Sequence, residues 1–246
     1  MSYKKLGINK NAFSNDAKKT MDDLIRNEEE ADNLIYWVES ESMILIQGPN
    51  ASGKTRLAME VIEEFRGEGK IIYIDLNTYN KELDIAHLLI GNQSFYRKLL
   101  NKMPKEMILI IDNAHTLETD FYKRIQYFYD QGYIKSAIII QQAGTRLELP
   151  ESIKSRVGNK IITLKEMTKK EAIQLVNERL NDFIKKEQLE QIWDKKPGLN
   201  NFLENCEKII SAYIEEDRQR LDTKFIQKVL KWHGIKNSDL NTTQYV

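Results

Sequence analysis

The chain has 246 residues, of which 41% are hydrophobic and 30% are charged, so it is long enough for one core and a small accessory domain. Its 37 basic and 37 acidic residues cancel, and composition therefore gives no whole-molecule attraction to nucleic acid or to an anionic membrane. No apolar run approaches the ~20 residues that span a bilayer, and the first residues lack the apolar core of a signal peptide. We therefore expect a cytoplasmic protein with no membrane partner.

Cysteine and histidine usage gives no sign of a disulfide or of a metal centre. The single cysteine, Cys206, excludes an internal disulfide, and its helical surroundings are typical of a core residue. The histidines His87, His115 and His233 lack the spacing of metal ligands.

Short apolar runs alternate with helical patterns after a polar N-terminal arm. The first helical pattern, "EEEADNLIYWVES", places apolar residues on one face. Five strands are predicted at MILIQ from Met43, KIIYIDL from Lys70, MILIID from Met107, SAIIIQ from Ser136 and KIITL from Lys160. Strands that are apolar on both faces and separated by helices predict an α/β protein, with a parallel sheet covered by helices on each side.

The pattern becomes entirely helical after Leu164. Thr168 followed by Glu171 has the form of a capping box and predicts a helix that runs to about Leu180. Further helical patterns follow, interrupted by "KKPG". The predicted organisation is an arm at 1–27, an α/β domain at 28–165, a helical domain at 166–234 and a polar tail at 235–246.

The octet GPNASGKT fits the G-x-x-x-x-G-K-[ST] pattern, and it lies between a predicted strand and a predicted helix, as phosphate binding requires. Glycines allow a tight loop whose N–H groups face phosphates, Lys54 brings a cation near the β and γ phosphates, and the Thr55 hydroxyl can ligate Mg²⁺. The pattern therefore predicts binding of a nucleotide with Mg²⁺. The predicted binding residues are Gly48, Pro49, Asn50, Ala51, Ser52, Gly53, Lys54, Thr55 and Arg56.

A phosphate loop of this kind needs an acid on a neighbouring strand to hold the magnesium shell. Asp112 ends the apolar run "MILIID" and is the predicted acid, so Thr55 and Asp112 form the predicted metal site.

With these residues in place, the chain resembles the AAA+ ATPases, in the branch of origin-recognition initiators, ExeA secretion ATPases and TniB-type transposition ATPases. "DNAH" stands where that family has "DEAH", so Asn113 takes the position of the glutamate that polarises the attacking water. "SAIIIQQ" is similar to the strand that carries a polar sensor of the γ-phosphate, a role that falls to Gln141 or Gln142.

The resemblance extends to both ends of the chain. "PESIKSRV" is similar to the arginine-finger segment, which implies that Arg156 reaches the nucleotide of a neighbouring subunit; Arg146 is a second candidate. "PGLNN" is similar to the start of a lid helix, with Asn201 where the family has an arginine. "YKKLGINKNAF" is similar to an opening that lies near the adenine, with Ala12 in the place of a proline.

Asn113 changes the expected chemistry, because an amide orients water but is not a useful base. Water-activating groups are worth about 10²–10⁴ in rate, so we expect slow hydrolysis with ATP binding intact. The alternative is that another acid compensates, and Glu118 is the nearest one downstream. Asn77, after the second strand, either forms a turn or couples partner binding to the site.

The resemblance implies an ATP-gated switch that assembles with itself into a ring or filament through Arg156. One hypothesis is a DNA-associated assembly factor of the replication or transposition type, to which the lysines of "KNAFSNDAKK" could contribute. The alternative is a nucleotide-dependent protein-interaction module for secretion, pilus assembly or defence, without DNA binding. A third class, a small-molecule kinase, is disfavoured by the helical domain and the "SRV" segment.

Overall fold

The computed structural model describes residues 3–8, 12–14, 27–68, 70–79, 84–91, 103–114, 117–144 and 149–231. The chain divides into two compact units, one of Asp16–Glu166 and the other of Met1–Asn15 with Met167–Val246. Several sequence predictions fall outside the described residues, namely those on His115, Arg146, His233, the lysines of "KNAFSNDAKK" and the polar tail. None of the helices in the described ranges is long and apolar enough to cross a membrane.

The first unit is built on a sheet in which the described residues form five parallel strands. They are β1 (Met43–Gly48), β2 (Ile71–Asp75), β3 (Met107–Asp112), β4 (Ile134–Gln142) and β5 (Ile161–Thr163), in the spatial order β2-β3-β4-β1-β5. Its helices are α1 (Glu28–Glu39), α2 (Lys54–Glu64), α3 (Ile85–Gly91), α4 (Thr119–Asp130) and α5 (Glu151–Val157), with a 3₁₀ turn at Arg66–Glu68. The predicted α/β fold class is confirmed.

The sheet has a separate apolar core on each face, because alternate residues of a strand point to opposite sides. In β3, Ile108 and Ile110 pack with α1 and α2, whereas Leu109 and Ile111 pack with α3, α4 and α5. All six residues of β3 are buried, as expected for a strand covered on both faces. Each fully buried isoleucine or leucine contributes roughly 1.5–3 kcal/mol, so the sheet holds the strand ends in fixed positions.

The second unit is helical. Its helices are α6 (Lys169–Arg179), α7 (Lys186–Lys195), α8 (Leu199–Glu215) and α9 (Thr223–Val229), with a 3₁₀ turn at Tyr3–Leu6. The predicted capping box is present: the backbone N–H of Thr168 donates to the Glu171 carboxylate at 2.7 Å, and the Glu171 N–H donates to the Thr168 hydroxyl at 3.3 Å. "KKPG" separates α7 from α8, as predicted. Cys206 is fully buried, and burial raises the pKa of its thiol.

Residues 3–8 and 12–14 of the N-terminal arm belong to the helical unit. Arg179 of α6 donates hydrogen bonds to the backbone oxygens of Ser14 at 2.9 Å and Ala12 at 3.3 Å. The Tyr3 and Ser211 hydroxyls lie 2.8 Å apart, and Ala12 is buried. These residues are therefore part of a folded unit and not a solvated extension.

Candidate functional site

The loop between β1 and α2 depends on its two glycines for different reasons. A Cβ added to Gly48 would lie 2.8 Å from the backbone oxygen of Leu164, a separation that atoms in folded proteins do not tolerate. Gly53 has φ +100°, which side-chain-bearing residues rarely adopt. Ala51 also has a left-handed φ of +58°. The loop therefore turns tightly beside β5 and ends at the start of α2.

Lys54 is the first residue of α2, and its side chain folds back against the loop. Its Nζ donates to the backbone oxygens of Gly48 at 3.0 Å and Pro49 at 2.6 Å. Partial burial lowers the pKa of Lys54, and the nearby Asp112 carboxylate opposes that shift. A half-buried ammonium held by two carbonyl oxygens is stabilised further by an anion, so the residue fits a phosphate ligand.

Buried polar groups without partners line the same part of the unit. Among the described residues, the Ser52 hydroxyl and the Gln141 amide oxygen are buried and have no hydrogen-bond partner. Gln141 pairs in register with Gln47 of β1, so it lies beside the strand that enters the loop. Gly53 precedes α2 and has no side chain with which to cap the first N–H groups of the helix. Unsatisfied buried groups and uncapped helix N–H groups fit an oxygen-rich anion such as a triphosphate.

Asp112 is buried, and its carboxylate accepts three hydrogen bonds from the described residues. Its Oδ2 accepts from the Thr55 hydroxyl at 2.7 Å and from the Tyr73 hydroxyl at 2.9 Å, and its Oδ1 accepts from the backbone N–H of Asn113 at 2.8 Å. Because Thr55 uses its only hydroxyl proton on Asp112, both lone pairs of its Oγ1 remain for a cation. Thr55 and Asp112 therefore lie together as a magnesium site requires.

The described residues contain no group of three or more His, Cys, Asp or Glu side chains that could bind a metal ion alone. In nucleotide sites Mg²⁺ usually takes one or two ligands from the protein and the others from phosphate and water oxygens, and Thr55 beside Asp112 fits that arrangement.

Asn113 contacts a carboxylate that sequence reasoning missed. It has a left-handed φ of +58°, and its Nδ2 donates to Oδ1 of Asp75, the last residue of β2, at 2.8 Å. Asn77 contributes only its backbone N–H, 3.0 Å from the same oxygen, and its side chain is exposed. Glu118, expected as the nearest acid, is exposed and immediately precedes α4. The position of Asp75 at a strand end, like that of Asp112, was the signal available in the sequence.

Arg156 lies near the amino ends of the parallel strands, whereas the loop follows the carboxyl end of β1. Its guanidinium pairs with Asp130, with Nη2 2.7 Å from Oδ2 and Nε 3.1 Å from Oδ1, and Nη1 donates to the Ser152 oxygen at 3.0 Å. Asp130 ends α4 just before β4 begins, whereas the loop follows the end of β1. Arg156 is thus remote from the nucleotide loop of its own chain.

The remaining predicted residues occupy more ordinary positions. Arg56 forms an ion pair with Glu60 one turn further along α2. Asn50 is exposed in the loop, and Gln142 at the end of β4 is partly buried. Asn201 lies in the first turn of α8, where its side-chain amide donates to the Pro197 oxygen at 3.1 Å.

A glycine-lined loop joining a parallel strand to a helix, with a half-buried lysine and a strand-end aspartate, defines a P-loop nucleotide-binding protein. Residues 40–173, more than half of the chain, match the family model described as AAA domain. The chain belongs to that family, and the membership expected from its residues is confirmed.

Several solved structures share this fold. The Aeropyrum pernix ORC1 protein in complex with DNA matches with a TM-score of 0.68 and 14% identity, over 90% of this chain and 68% of that chain. Cdc6p from Pyrobaculum aerophilum matches with a TM-score of 0.65 and 15% identity, over 91% and 71%. Domain III of the Thermotoga maritima replication initiation protein DnaA matches with a TM-score of 0.60 and 16% identity, over 91% and 97%. No curated protein matches this sequence.

Proposed function

We propose that this AAA protein binds ATP with Mg²⁺ and uses the bound nucleotide as a switch for its own assembly. The observation that carries the proposal is the 2.7 Å hydrogen bond between Thr55 and Asp112, beside a Lys54 that folds back against the loop. These three side chains supply the metal-binding hydroxyl, the acid behind it and the phosphate-binding cation.

Assembly is proposed to depend on Arg156 acting in trans. The arginine lies at the edge of the sheet where strands begin, so a nucleotide that it contacts must belong to another subunit. Its ion pair with Asp130 is partly exposed, and exposed pairs contribute only about 0–1 kcal/mol, so a phosphate can replace the carboxylate. A ring or filament of subunits follows if each Arg156 reaches the next loop.

Hydrolysis is proposed to be slow. Asn113 stands at the position where the AAA+ ATPases that this chain resembles have a glutamate. Loss of a water-activating carboxylate typically lowers rates about 10²–10⁴-fold. That loss corresponds to roughly 3–5 kcal/mol in the barrier. The contacts of Lys54 and Thr55 do not involve Asn113, so ATP binding is expected to remain strong.

DNA association is proposed from the fold alone, since one structural match is described as an ORC1 protein in complex with DNA. DNA binding that requires ATP and weakens with salt would support this assignment. The exact balance of 37 basic and 37 acidic residues favours a second candidate, a nucleotide-dependent module that binds a protein partner without DNA. An ATP-dependent protein complex that is indifferent to DNA would support the second candidate.

The first test is ATP binding and turnover by the purified chain, with and without DNA, against Lys54→Ala as background. We expect micromolar-range or tighter binding that needs Lys54, with slow turnover that still exceeds the background by more than about tenfold. Equal ATP affinity in Lys54→Ala and the unaltered chain would contradict the nucleotide assignment. Fast turnover raised by DNA would contradict the slow switch and indicate a DNA-associated motor.

A further inference from the structure

The ends of β2 and β3 bring a carboxylate and an amide into direct contact. The two strands are parallel neighbours, and Asp75 and Asp112 are partners in their register. Asn113 follows Asp112 and donates its Nδ2 to Asp75 Oδ1 at 2.8 Å. The backbone N–H of Asn77 donates to the same oxygen at 3.0 Å, so one side of the Asp75 carboxylate is fixed by two donors.

Both side chains keep an acceptor atom for another molecule. Among the described residues, none donates a hydrogen bond to Oδ2 of Asp75 or to Oδ1 of Asn113. Each residue is partly exposed, so water reaches the pair. The two acceptors can together bind the two O–H groups of one water molecule.

We infer that Asp75 partly replaces the carboxylate that position 113 lacks, and that the slow turnover of the proposed function depends on Asp75 and Asn113 acting together on the water that attacks ATP. The inference rests on the proposed function, because it concerns hydrolysis at the same site. The water oxygen forms a bond to the γ-phosphorus as the bond from that phosphorus to the β–γ bridging oxygen breaks. ADP leaves with the electron pair, one water proton passes to the Asp75 carboxylate, and Asn113 holds the second O–H.

This arrangement changes what Asn113→Glu is expected to do. A glutamate at 113 would place a second carboxylate against Asp75, and like charges at hydrogen-bond distance disfavour each other. The single substitution therefore gives no gain in turnover. Asp75→Asn combined with Asn113→Glu restores an amide–carboxylate pair with the two partners exchanged.

The test compares four proteins: the unaltered chain, Asp75→Asn, Asn113→Glu and the double variant. Asparagine matches aspartate in shape and still accepts from the Asn113 amide, so Asp75→Asn removes the charge with little change in packing. Lys54→Ala gives the background rate. Glu106→Gln is the matched control, since Glu106 is an exposed acid before β3, at the other edge of the sheet. Phosphate release, affinity for a fluorescent ATP analogue and the thermal midpoint are measured for each protein.

We expect Asp75→Asn to lower kcat by about tenfold or more, in line with the usual worth of a water-activating group, and to leave analogue affinity and the thermal midpoint nearly unchanged. Asn113→Glu should not exceed the unaltered chain, and the double variant should exceed both single variants. Glu106→Gln should match the unaltered chain.

Two kinetic results overturn the inference: an unchanged kcat in Asp75→Asn, or a gain in Asn113→Glu equal to that of the double variant. ATP binding with turnover no higher than that of Lys54→Ala also overturns it and leaves the proposed ATP binding in place. Failure of the unaltered chain to bind the analogue overturns the proposed function itself.

Discussion

Replacement of Asp112 by asparagine should remove the advantage that Mg²⁺ gives to ATP binding. In the present arrangement the Thr55 hydroxyl donates to Oδ2 of Asp112 at 2.7 Å, which leaves the Thr55 oxygen free for the cation. The Asn113 backbone N–H, which donates to Oδ1, would keep an oxygen on its side of the new amide. The NH₂ group then faces Thr55 and occupies a lone pair that Mg²⁺ needs.

The size of the effect follows from the single contact that is lost. A hydrogen bond to a charged group contributes about 1.5–3 kcal/mol, so Asp112→Asn should weaken Mg²⁺-dependent ATP binding roughly 10- to 150-fold. Binding of ATP in excess EDTA should change little, because Lys54 and the loop N–H groups are untouched. Tyr73→Phe is the matched control, since it removes the other donor to Oδ2, at 2.9 Å, and leaves the Thr55 contact intact.

The assay is titration of a fluorescent ATP analogue with Mg²⁺ and with EDTA, for the unaltered chain, Asp112→Asn and Tyr73→Phe. The ratio of the two affinities isolates the contribution of the metal. A ratio in Asp112→Asn equal to that of the unaltered chain would refute the assignment of Thr55 and Asp112 to the magnesium site. An equal fall of this ratio in Tyr73→Phe would show that a less firmly held Asp112 carboxylate is enough to weaken Mg²⁺-dependent ATP binding.

Three other outcomes are expected. Gly48→Ala should lower the free energy of unfolding, measured in urea, by about 1–3 kcal/mol, because its Cβ would meet a backbone oxygen. Gly67→Ala, which has open space around it, should leave that free energy unchanged. Equal effects of the two substitutions would contradict the close packing at Gly48. Cys206 should resist a thiol reagent until the helical unit unfolds, and rapid labelling of the native protein would contradict its burial. Asp130→Asn should free Arg156 and lower the ATP concentration needed for assembly, as judged by light scattering, and a higher requirement would contradict release of this pair.

The parallel sheet and the phosphate loop could be predicted because their signals are local. β3 consists of five apolar residues from Met107 and a strand-end aspartate. Such a run is buried wherever helices cover both faces of a sheet. The octet from Gly48 contains the glycines of the turn, the phosphate-binding lysine and the first residues of the helix within eight consecutive positions. The capping box at Thr168 likewise joins residues three positions apart.

The contacts that alter the chemistry could not be predicted, because they join distant residues through the register of strands and the packing of helices. Asp75 meets Asn113 only because β2 and β3 end in register, a pairing that spans 38 residues of sequence. Arg156 meets Asp130 only because α4 and α5 pack together. The sequence points to Glu118 as the compensating acid because Glu118 is near Asn113 along the chain. Asp75 is far from Asn113 along the chain and reaches it only through the pairing of two strands.

Assembly of the chain with ATP distinguishes a switch that acts through Arg156 from a protein that binds ATP as a monomer. The mass in solution is measured by sedimentation, with ATP and Mg²⁺ or without nucleotide, for the unaltered chain, Lys54→Ala, Arg156→Ala and an equal mixture of the two variants. Lys154→Ala is the control, since it removes another cation from α5.

We expect ATP to assemble the unaltered chain and Lys154→Ala, and each of the other variants alone to stay monomeric. The mixture should form dimers, because Arg156 of the Lys54→Ala subunit reaches the intact loop of the Arg156→Ala subunit. If Arg156→Ala assembled to the same extent as the unaltered chain, an ATP-gated switch that acts through Arg156 would be contradicted. The same conclusion would follow if the unaltered chain bound ATP without any change in its mass in solution.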